Sequence, residues 1–136
     1  MSQGGKNGRI NLEIIVEGCP MPFVNCLTSI RVEAAAEEAF KAGVAKALKE
    51  VAGKPESYLF VAMQSGQTFF VRGARLPGVM LEVSLIGTLS KAQKKDLSVR
   101  LSGLCADALG VAGDAVYIVY REVAGENWAC NGDTFA

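Results

Sequence analysis

The sequence predicts one α/β domain of the α+β type, in which two βαβ repeats form a four-stranded mixed sheet with both helices on one face. The chain has 136 residues, of which 50% are hydrophobic, and this is enough for one packed core. A strand–helix–strand pattern occurs twice, at an offset of roughly 60 residues. Each copy contains one helix with an apolar stripe, as a helix packed on a sheet requires.

The first repeat follows Pro22. The segment FVNCLT is typical of a strand, and residues 33–52 carry apolar side chains at helical spacing, namely Phe40, Val44, Leu48 and Val51. Gly53, with a proline two residues later, ends this helix, because glycine tolerates the left-handed cap and proline cannot continue the hydrogen-bond ladder. YLFVAM at 58–63 is predicted to be an almost wholly apolar strand.

The second repeat follows a short TFFVRG segment and a turn around Pro77-Gly78. It consists of a strand at 79–87, a helix at 90–109 that stops at Gly110, and a strand at 115–120. The serine and glutamine of the sequence SKAQ, which opens the helix, form a capping box. An apolar stripe follows at Leu97, Leu101, Leu104 and Ala108.

Two strongly apolar strands predict self-association. Strands 58–63 and 115–120 are apolar on both faces, whereas two helices cover only one side of a sheet. The simplest cover for the other side is a further copy of the chain.

Composition excludes several classes of function. Lys plus Arg and Asp plus Glu both total 14, so no basic field is available to hold nucleic acid or anionic lipid. No apolar run approaches the roughly 20 residues of a membrane-spanning helix, and residues 1–21 lack the features of a secretory signal. We therefore expect no nucleic-acid or membrane partner and a cytoplasmic starting location.

The lack of histidine restricts the available chemistry. The sequence contains no histidine, which excludes Ser-His-Asp and Cys-His machinery and histidine-rich metal sites. The four cysteines (Cys19, Cys26, Cys105 and Cys130) show no CxxC spacing, so we interpret them as reduced, mostly buried thiols. No metal or cofactor is expected, and an enzyme of this sequence needs another base.

Pro22 is a candidate for that base. An internal proline is inert, but an N-terminal proline is a secondary amine, and α-amino groups titrate near pH 7.7 to 8.0, about where general bases work at neutral pH. Burial in an apolar pocket would lower that pKa further. Met21-Pro22 is a sequence from which a peptidase removes methionine, although position alone favours a proline that merely begins a strand.

From Met21 to Ala136 the chain resembles the macrophage migration inhibitory factor family of the tautomerase superfamily. The resemblance rests on spaced matches in the correct order: MPFVNCLTSI, Gly53-Lys54-Pro55 with Tyr58, SLIG at 84–87, DAVYIVY at 114–120 and the final NGDTFA. It implies a homotrimer of βαβ repeats around a central channel. It also implies a keto–enol tautomerase of the phenylpyruvate or dopachrome type, acting on a small enolisable keto acid.

The resemblance assigns roles to individual residues. Pro22 corresponds to the catalytic base, and Lys54 to a pocket lysine that would pair with the substrate carboxylate, although a lysine here also complements a helix C-terminus. Ile86 corresponds to a pocket position that contacts the ligand through its backbone, and a core isoleucine would look the same. Tyr117 corresponds to a wall residue contributed by the neighbouring subunit. Phe135 and the last residues would form a short interface strand or simply pack.

The chain departs from the animal members of this family at positions that would affect substrate specificity. Val119 stands where animal members have a pocket asparagine, and Trp128 and Cys130 differ from the animal wall positions, where an aromatic residue stands at 130. Specificity for aryl substrates is therefore in question. The stretch 78–81 lacks the CxxC of animal members, which predicts no thiol–disulfide oxidoreductase activity.

Residues 1–21 decide whether Pro22 has an amine. They are an artefact of gene prediction, a cleaved leader, or a retained extension whose Ile14–Val16 patch and Cys19 would block the pocket. The remaining alternatives to an enzyme are a protein that resembles the secreted animal cytokines, exported without a signal peptide and bound by a receptor, and a trimer with a vestigial pocket.

Overall fold

Residues 22–135 are described by the computed structural model, and they alternate between strands and helices in two similar halves. Predictions on residues 1–21 lie outside this range. The elements, in chain order, are β1 (Phe23–Thr28), α1 (Ala34–Ala52), β2 (Phe60–Gln64), β3 (Phe70–Val71), β4 (Ala74–Arg75), β5 (Val79–Ile86), α2 (Lys91–Leu109), β6 (Val116–Val123), β7 (Ala129–Cys130) and β8 (Asp133–Thr134).

The four long strands form one mixed sheet in the order β2-β1-β5-β6. β1 is parallel to β2, and β5 is parallel to β6, so each half is a βαβ unit. β1 and β5 are antiparallel neighbours in the middle of the sheet, with Phe23 opposite Ser84. The predicted fold class, with two helices on a four-stranded mixed sheet, is confirmed.

The hydrophobic core lies between the sheet and the two helices. Its fully buried side chains alternate along the two central strands and line the inner stripes of both helices: Val24, Cys26, Leu81, Val83, Phe40, Val44, Leu97, Leu101 and Cys105. The helices approach each other closely at Gly43, where an added Cβ would collide with the Leu104 side chain. Leu97 and Leu101 of the predicted α2 stripe are in the core, while Leu104 packs against α1 and Cys105 and Leu109 complete the buried side of the helix.

Both helices end as predicted, at a glycine in the left-handed conformation. Gly53 has φ 68° and Gly110 has φ 71°, and the N–H of each donates to a carbonyl of the last helical turn. The starts of the two helices differ. Ser90 and Gln93 form the predicted capping box on α2, whereas the Glu33 side chain makes no cap hydrogen bond on α1.

The predicted strands 58–63, 79–87 and 115–120 have different boundaries, and the second of them ends at Ile86. The segment 58–63 starts as a strand only at Phe60, because the fixed φ of Pro55 introduces a 3₁₀ turn at Glu56–Tyr58. The TFFVRG segment contributes to a hairpin, β3–β4, that turns at Arg72 with φ 52°. β6 continues three residues beyond the predicted 115–120, to Val123.

The face of the sheet opposite the helices, here called the open face, carries both polar and apolar side chains. A row of polar side chains crosses all four strands: Gln64 donates to Asn25 (2.9 Å), Asn25 donates to Glu82 (3.0 Å), and Arg121 lies 3.3 Å from Glu82. These cross-strand contacts between polar side chains stabilise the pairing of the four strands.

Large apolar side chains flank this polar row at both ends of the open face. Phe60, 60% exposed, packs edge to face with Phe23 at one end. Tyr117, 49% exposed, lies at the other end. The open face therefore retains two separate apolar patches.

The chain ends in a small hairpin, β7–β8. Phe135 follows β8 and lies outside any strand, so the predicted C-terminal strand stops at Thr134. Phe135 is buried, and its N–H donates to the carbonyls of Gly125 and Trp128 (3.1 Å each). Among residues 22–135, no helix is long and apolar enough to cross a membrane.

Candidate active site

Pro22 is buried and lies directly before β1. Its carbonyl accepts a hydrogen bond from the N–H of Phe60 (3.0 Å), which fixes the start of β1 against the start of β2. On its other side β1 is antiparallel to β5, and Phe23 pairs with Ser84. Pro22 therefore lies beside the last residues of β5, where the strand ends at Ile86.

Lys54 is positioned by the end of α1. The N–H of Gly53 donates to the Lys49 carbonyl (3.0 Å) and that of Lys54 to the Leu48 carbonyl (3.2 Å), so the chain reverses directly before Lys54. A 3₁₀ turn then leads into β2, whose first residue contacts Pro22. The loop that carries Lys54 therefore lies at the same end of the sheet as Pro22.

Ile86 is the last residue of β5 and pairs with Val123 on β6. Gly87 follows with φ 93°, a conformation that suits glycine, and its N–H donates to the Val123 carbonyl (3.0 Å). The backbone at this end of β5 is thus fixed to β6. Pro22, Lys54 and Ile86 all lie at one end of the sheet, which we call the proline end.

Tyr117 lies far from these three residues within one chain. It pairs with Met80 near the start of β5, whereas Val119 pairs with Glu82 in the middle of that strand. Because a strand rises about 3.3 Å per residue, the six steps from Met80 to Ile86 span about 20 Å. One chain therefore cannot bring Tyr117 and Pro22 into the same pocket.

Trp128 lies nearer the proline end. β6 ends at Val123, opposite Ile86, and a 3₁₀ turn at Gly125–Asn127 carries the chain on to Trp128. The Trp128 N–H donates to the Gly125 carbonyl (3.2 Å), and the indole is partly buried. Cys130 is exposed in the following hairpin.

The opposite end of the sheet, here the tyrosine end, contains a groove of about 450 Å³. Its walls are the β3 segment and the adjoining ends of β5 and β6, with side chains of Phe69, Phe70, Arg72, Met80 and Tyr117. The Arg72 guanidinium donates to the Asp114 carbonyl (2.9 Å) and holds the hairpin against the loop before β6. The groove is aromatic and open to solvent.

Two buried thiols are unsuited to act as nucleophiles. Burial raises the pKa of Cys26 to about 12, with a smaller contribution from nearby Cys105, and burial raises the pKa of Cys105 to about 11. Both thiols stay protonated at neutral pH, whereas the thiolate is the reactive form. Within residues 22–135, no group of three or more His, Cys, Asp or Glu side chains could hold a metal ion.

Sequence reasoning missed Glu122, which lies near the proline end on the helix side of β6. One carboxylate oxygen accepts from the Leu89 N–H (2.8 Å), and the other lies 3.1 Å from the Lys94 ammonium. The Leu89 hydrogen bond, and then Lys94, hold the pKa of Glu122 below its usual value. The signal was an acidic residue at an inward position of a strand, Glu122 two residues after Tyr120, where an apolar residue is expected.

The architecture matches that of solved tautomerase-superfamily structures. A macrophage migration inhibitory factor homologue from Prochlorococcus marinus is 30% identical, with a TM-score of 0.78 over 84% of this chain and 99% of that one. A fused 4-OT solved as a symmetric trimer is 20% identical, with a TM-score of 0.75 over 83% of this chain and 95% of that one, and shows the likeness of fold alone.

Sequence comparison identifies the family. The family model for macrophage migration inhibitory factor (MIF) matches residues 21–136. The macrophage migration inhibitory factor of Mus musculus is 32% identical over 117 residues, which cover 86% of this chain and 99% of the mouse protein. The chain belongs to the macrophage migration inhibitory factor family of the tautomerase superfamily.

Proposed function

We propose that the chain, when it begins at Pro22, is a keto–enol tautomerase of the phenylpyruvate or dopachrome type that needs no cofactor. The neutral Pro22 amine removes a proton from the carbon next to the keto group, and the electron pair moves onto the carbonyl oxygen. The ammonium then delivers a proton to that oxygen, so the reaction is an isomerisation without change of oxidation state. The observation that carries this proposal is the buried position of Pro22 beside the end of β5.

The surroundings of Pro22 support its role as a base. Burial disfavours the charged form of an amine and lowers its pKa towards neutrality. No histidine is present to compete for this role, and the two buried thiols are protonated at neutral pH. Pro22 is therefore the best candidate for proton transfer at neutral pH.

Lys54 and Ile86 would bind the substrate. The Lys54 ammonium would pair with the substrate carboxylate and stabilise charge that develops on the enolate oxygen. The backbone of Ile86 would contact the ligand at the fixed end of β5. Both positions lie at the proline end, as this assignment requires.

We further propose that the active form is a homotrimer, since Tyr117 belongs to the assigned pocket but lies about 20 Å from Ile86 in its own chain. A head-to-tail contact that closes into a ring brings the tyrosine end of one copy to the proline end of the next. The exposed apolar patches at the two ends, Phe60 with Phe23 and Tyr117 with Phe70, suit such a contact. Tyr117 and Val119 of one copy would then line the pocket of its neighbour.

The pocket walls favour keto acids with small or apolar substituents. Val119 supplies no hydrogen bond, so it offers the substrate only apolar contact. Trp128 would provide an aromatic surface from the proline end. Phenylpyruvate is the practical assay substrate, and we expect catalysis in the cytoplasm, without nucleic acid or membrane.

The mechanism requires that residues 1–21 are absent from the active protein. In a chain that retains them, the Pro22 nitrogen is an amide, which has neither a basic lone pair nor a proton. We therefore propose that residues 22–136 form the functional domain and that the active chain begins at Pro22, after removal of Met21 or of the whole leader.

A comparison of two forms of the chain tests the proposal. One form is expressed from Met21, so that methionine removal exposes Pro22; the other starts at Met1. Intact mass and N-terminal analysis establish the first residue, sedimentation gives the oligomeric state, and phenylpyruvate tautomerisation is followed by ultraviolet absorbance.

We expect turnover only from the trimer that begins at Pro22. Equal turnover with residues 1–21 attached would show that the Pro22 amine is not the base. An inactive trimer with a free Pro22 amine would instead support a vestigial pocket, and receptor binding would then be the function to test.

A further inference from the structure

The loop after Ile86 is held more tightly than its sequence suggests. Residues 87–90 connect the end of β5 to α2. Gly87 donates to the Val123 carbonyl, the Leu89 N–H donates to the Glu122 carboxylate (2.8 Å), and the Leu89 side chain is buried. Ser90 then starts the capping box of α2. The backbone from Ile86 to the helix is therefore fixed at nearly every residue.

Glu122 links this loop to both neighbouring elements. It lies on β6 next to Val123, the residue that accepts from Gly87. Its second oxygen pairs with Lys94 in the first turns of α2 (3.1 Å). Both carboxylate oxygens are thus used, one on the loop and one on the helix.

The helix side of this arrangement is also fixed. The Lys94 carbonyl accepts from the Ser98 hydroxyl (2.7 Å) and from the Tyr120 hydroxyl (3.1 Å). Tyr120 and Glu122 are successive inward-facing residues of β6, so β6 contacts the start of α2 twice. Burial raises the pKa of Tyr120, which keeps its hydroxyl a donor.

We infer that Glu122 is a positioning residue for the proline-end pocket. It would hold the backbone at Ile86 in the geometry that receives the substrate, through the Leu89 amide and Lys94, without contacting the substrate itself. This inference rests on the proposed tautomerase function, since it assigns the purpose of the loop geometry. A misplacement of about 1 Å at a binding position can cost up to about 100-fold in kcat/KM.

Three variants of the chain that begins at Pro22 test this role. E122A removes both contacts. E122Q keeps an oxygen that accepts from the Leu89 N–H but loses the ion pair. E50A is the matched control, because the Glu50 carboxylate pairs with Arg100 between the two helices rather than with the 87–90 loop.

We expect E122A to reduce kcat/KM for phenylpyruvate about 10-fold or more, chiefly through KM, because the misplaced backbone weakens substrate binding. E122Q should restore kcat/KM to within about 3-fold of the wild type, and E50A should match the wild type. Amide hydrogen exchange at residues 86–89 should accelerate in E122A alone, while sedimentation shows all variants to be equally assembled.

Two outcomes would overturn the inference. Wild-type kcat/KM in E122A would exclude a positioning role, and so would a defect in E122A without faster amide exchange at residues 86–89. If the wild-type chain itself shows no turnover, the tautomerase proposal fails separately. Hydrogen exchange then decides whether Glu122 holds the loop, and unchanged exchange at Leu89 in E122A would refute that too.

Discussion

The two βαβ halves share a framework but differ in the residues that could perform chemistry. Each half has a 19-residue helix, a glycine cap with φ near 70° and a 3₁₀ turn before its second strand. After the glycine, the first half has Lys54 and the second half has the buried Val111. The first strand follows Pro22 in one half and Gly78 in the other.

Because β1 and β5 are antiparallel, the equivalent positions of the two halves lie at opposite ends of the sheet. The proline end carries Pro22, the candidate base, and the cationic side chain of Lys54. The tyrosine end carries an aromatic groove. The repeat thus provides the same backbone at both ends of the sheet. The two ends differ in a few side chains, which give the proline end groups suited to proton transfer and the tyrosine end an aromatic surface.

The largest expected effect comes from changing Pro22, which has no counterpart in the second half. In a chain that begins at residue 22, P22G leaves a primary amine without the ring that fixes its position. We expect turnover to fall about 100-fold or more, within the range that general acid–base catalysis contributes. Thermal unfolding of P22G should match the wild type, and full activity would refute the assignment.

The framework shared by both halves predicts equal sensitivity of the core. Leu48 on α1 and Leu101 on α2 are both buried, at 1% and 0% exposure. L48A and L101A should each reduce the free energy of unfolding by about 2–5 kcal/mol, because each leaves a cavity. V99A is the control, since Val99 lies on α2, as Leu101 does, but is 67% exposed. A large loss in V99A would place the core elsewhere.

Lys54 tests whether the first half differs in function or only in helix capping. K54M should lower kcat/KM about 10- to 100-fold by removing the charge that binds the substrate carboxylate. Lys49 lies in the last turn of the same helix and is the matched control. If Lys54 only complements the helix dipole, K49M and K54M will each reduce the free energy of unfolding by a few tenths of a kcal/mol, and both variants will keep their activity.

The two helix starts differ in their caps, and S90A isolates that difference. Ser90 accepts from the Gln93 N–H (3.0 Å), and Gln93 accepts from the Ser90 N–H (2.8 Å). S90A should destabilise the protein by about 1 kcal/mol, measured by urea unfolding. E33A should be close to neutral in the same measurement, because the Glu33 side chain caps nothing on α1. Equal losses would mean that the capping box does not stabilise α2.

Much of this framework could be predicted from the sequence because it depends on local rules. Helical spacing located Phe40 and Leu101 in the core, and glycine followed by a helix breaker located the C-cap of α1. The family assignment came from spaced motifs. These signals involve residues close together in the chain, so one sequence suffices to detect them.

The contacts that the sequence did not predict join residues far apart in the chain. Glu82 bonds to Asn25 and Arg121, and Glu122 bonds to Leu89, across separations that depend on the register of the strands. Register follows from tertiary packing rather than from local pattern. For the same reason the sequence placed Tyr117 in the pocket only by resemblance. Within one chain Tyr117 lies about 20 Å along the sheet from Ile86.

The smallest expected effect is a pH dependence at Glu122, near the proline end. Its folded-state pKa is held below the usual 4.5, first by the Leu89 N–H and then by Lys94. A lowered pKa stabilises the folded state above pH 4.5, and this contribution is lost as the pH falls through the folded pKa. The wild type should therefore be more stable than E122Q at about pH 6, and the difference should shrink in acid.

Urea midpoints of the wild type and E122Q, measured in steps from neutral to acid pH, give this difference directly. E50Q is the control for a surface ion pair, since Glu50 pairs with Arg100 on the helices. A constant difference between the wild type and E122Q would mean that the carboxylate charge does not hold the loop. The position of the backbone after Ile86 would then be held by the Gly87 hydrogen bond and the buried Leu89 side chain. In that case the two ends of the sheet would differ in their functional side chains but not in a charged contact that holds a loop in place.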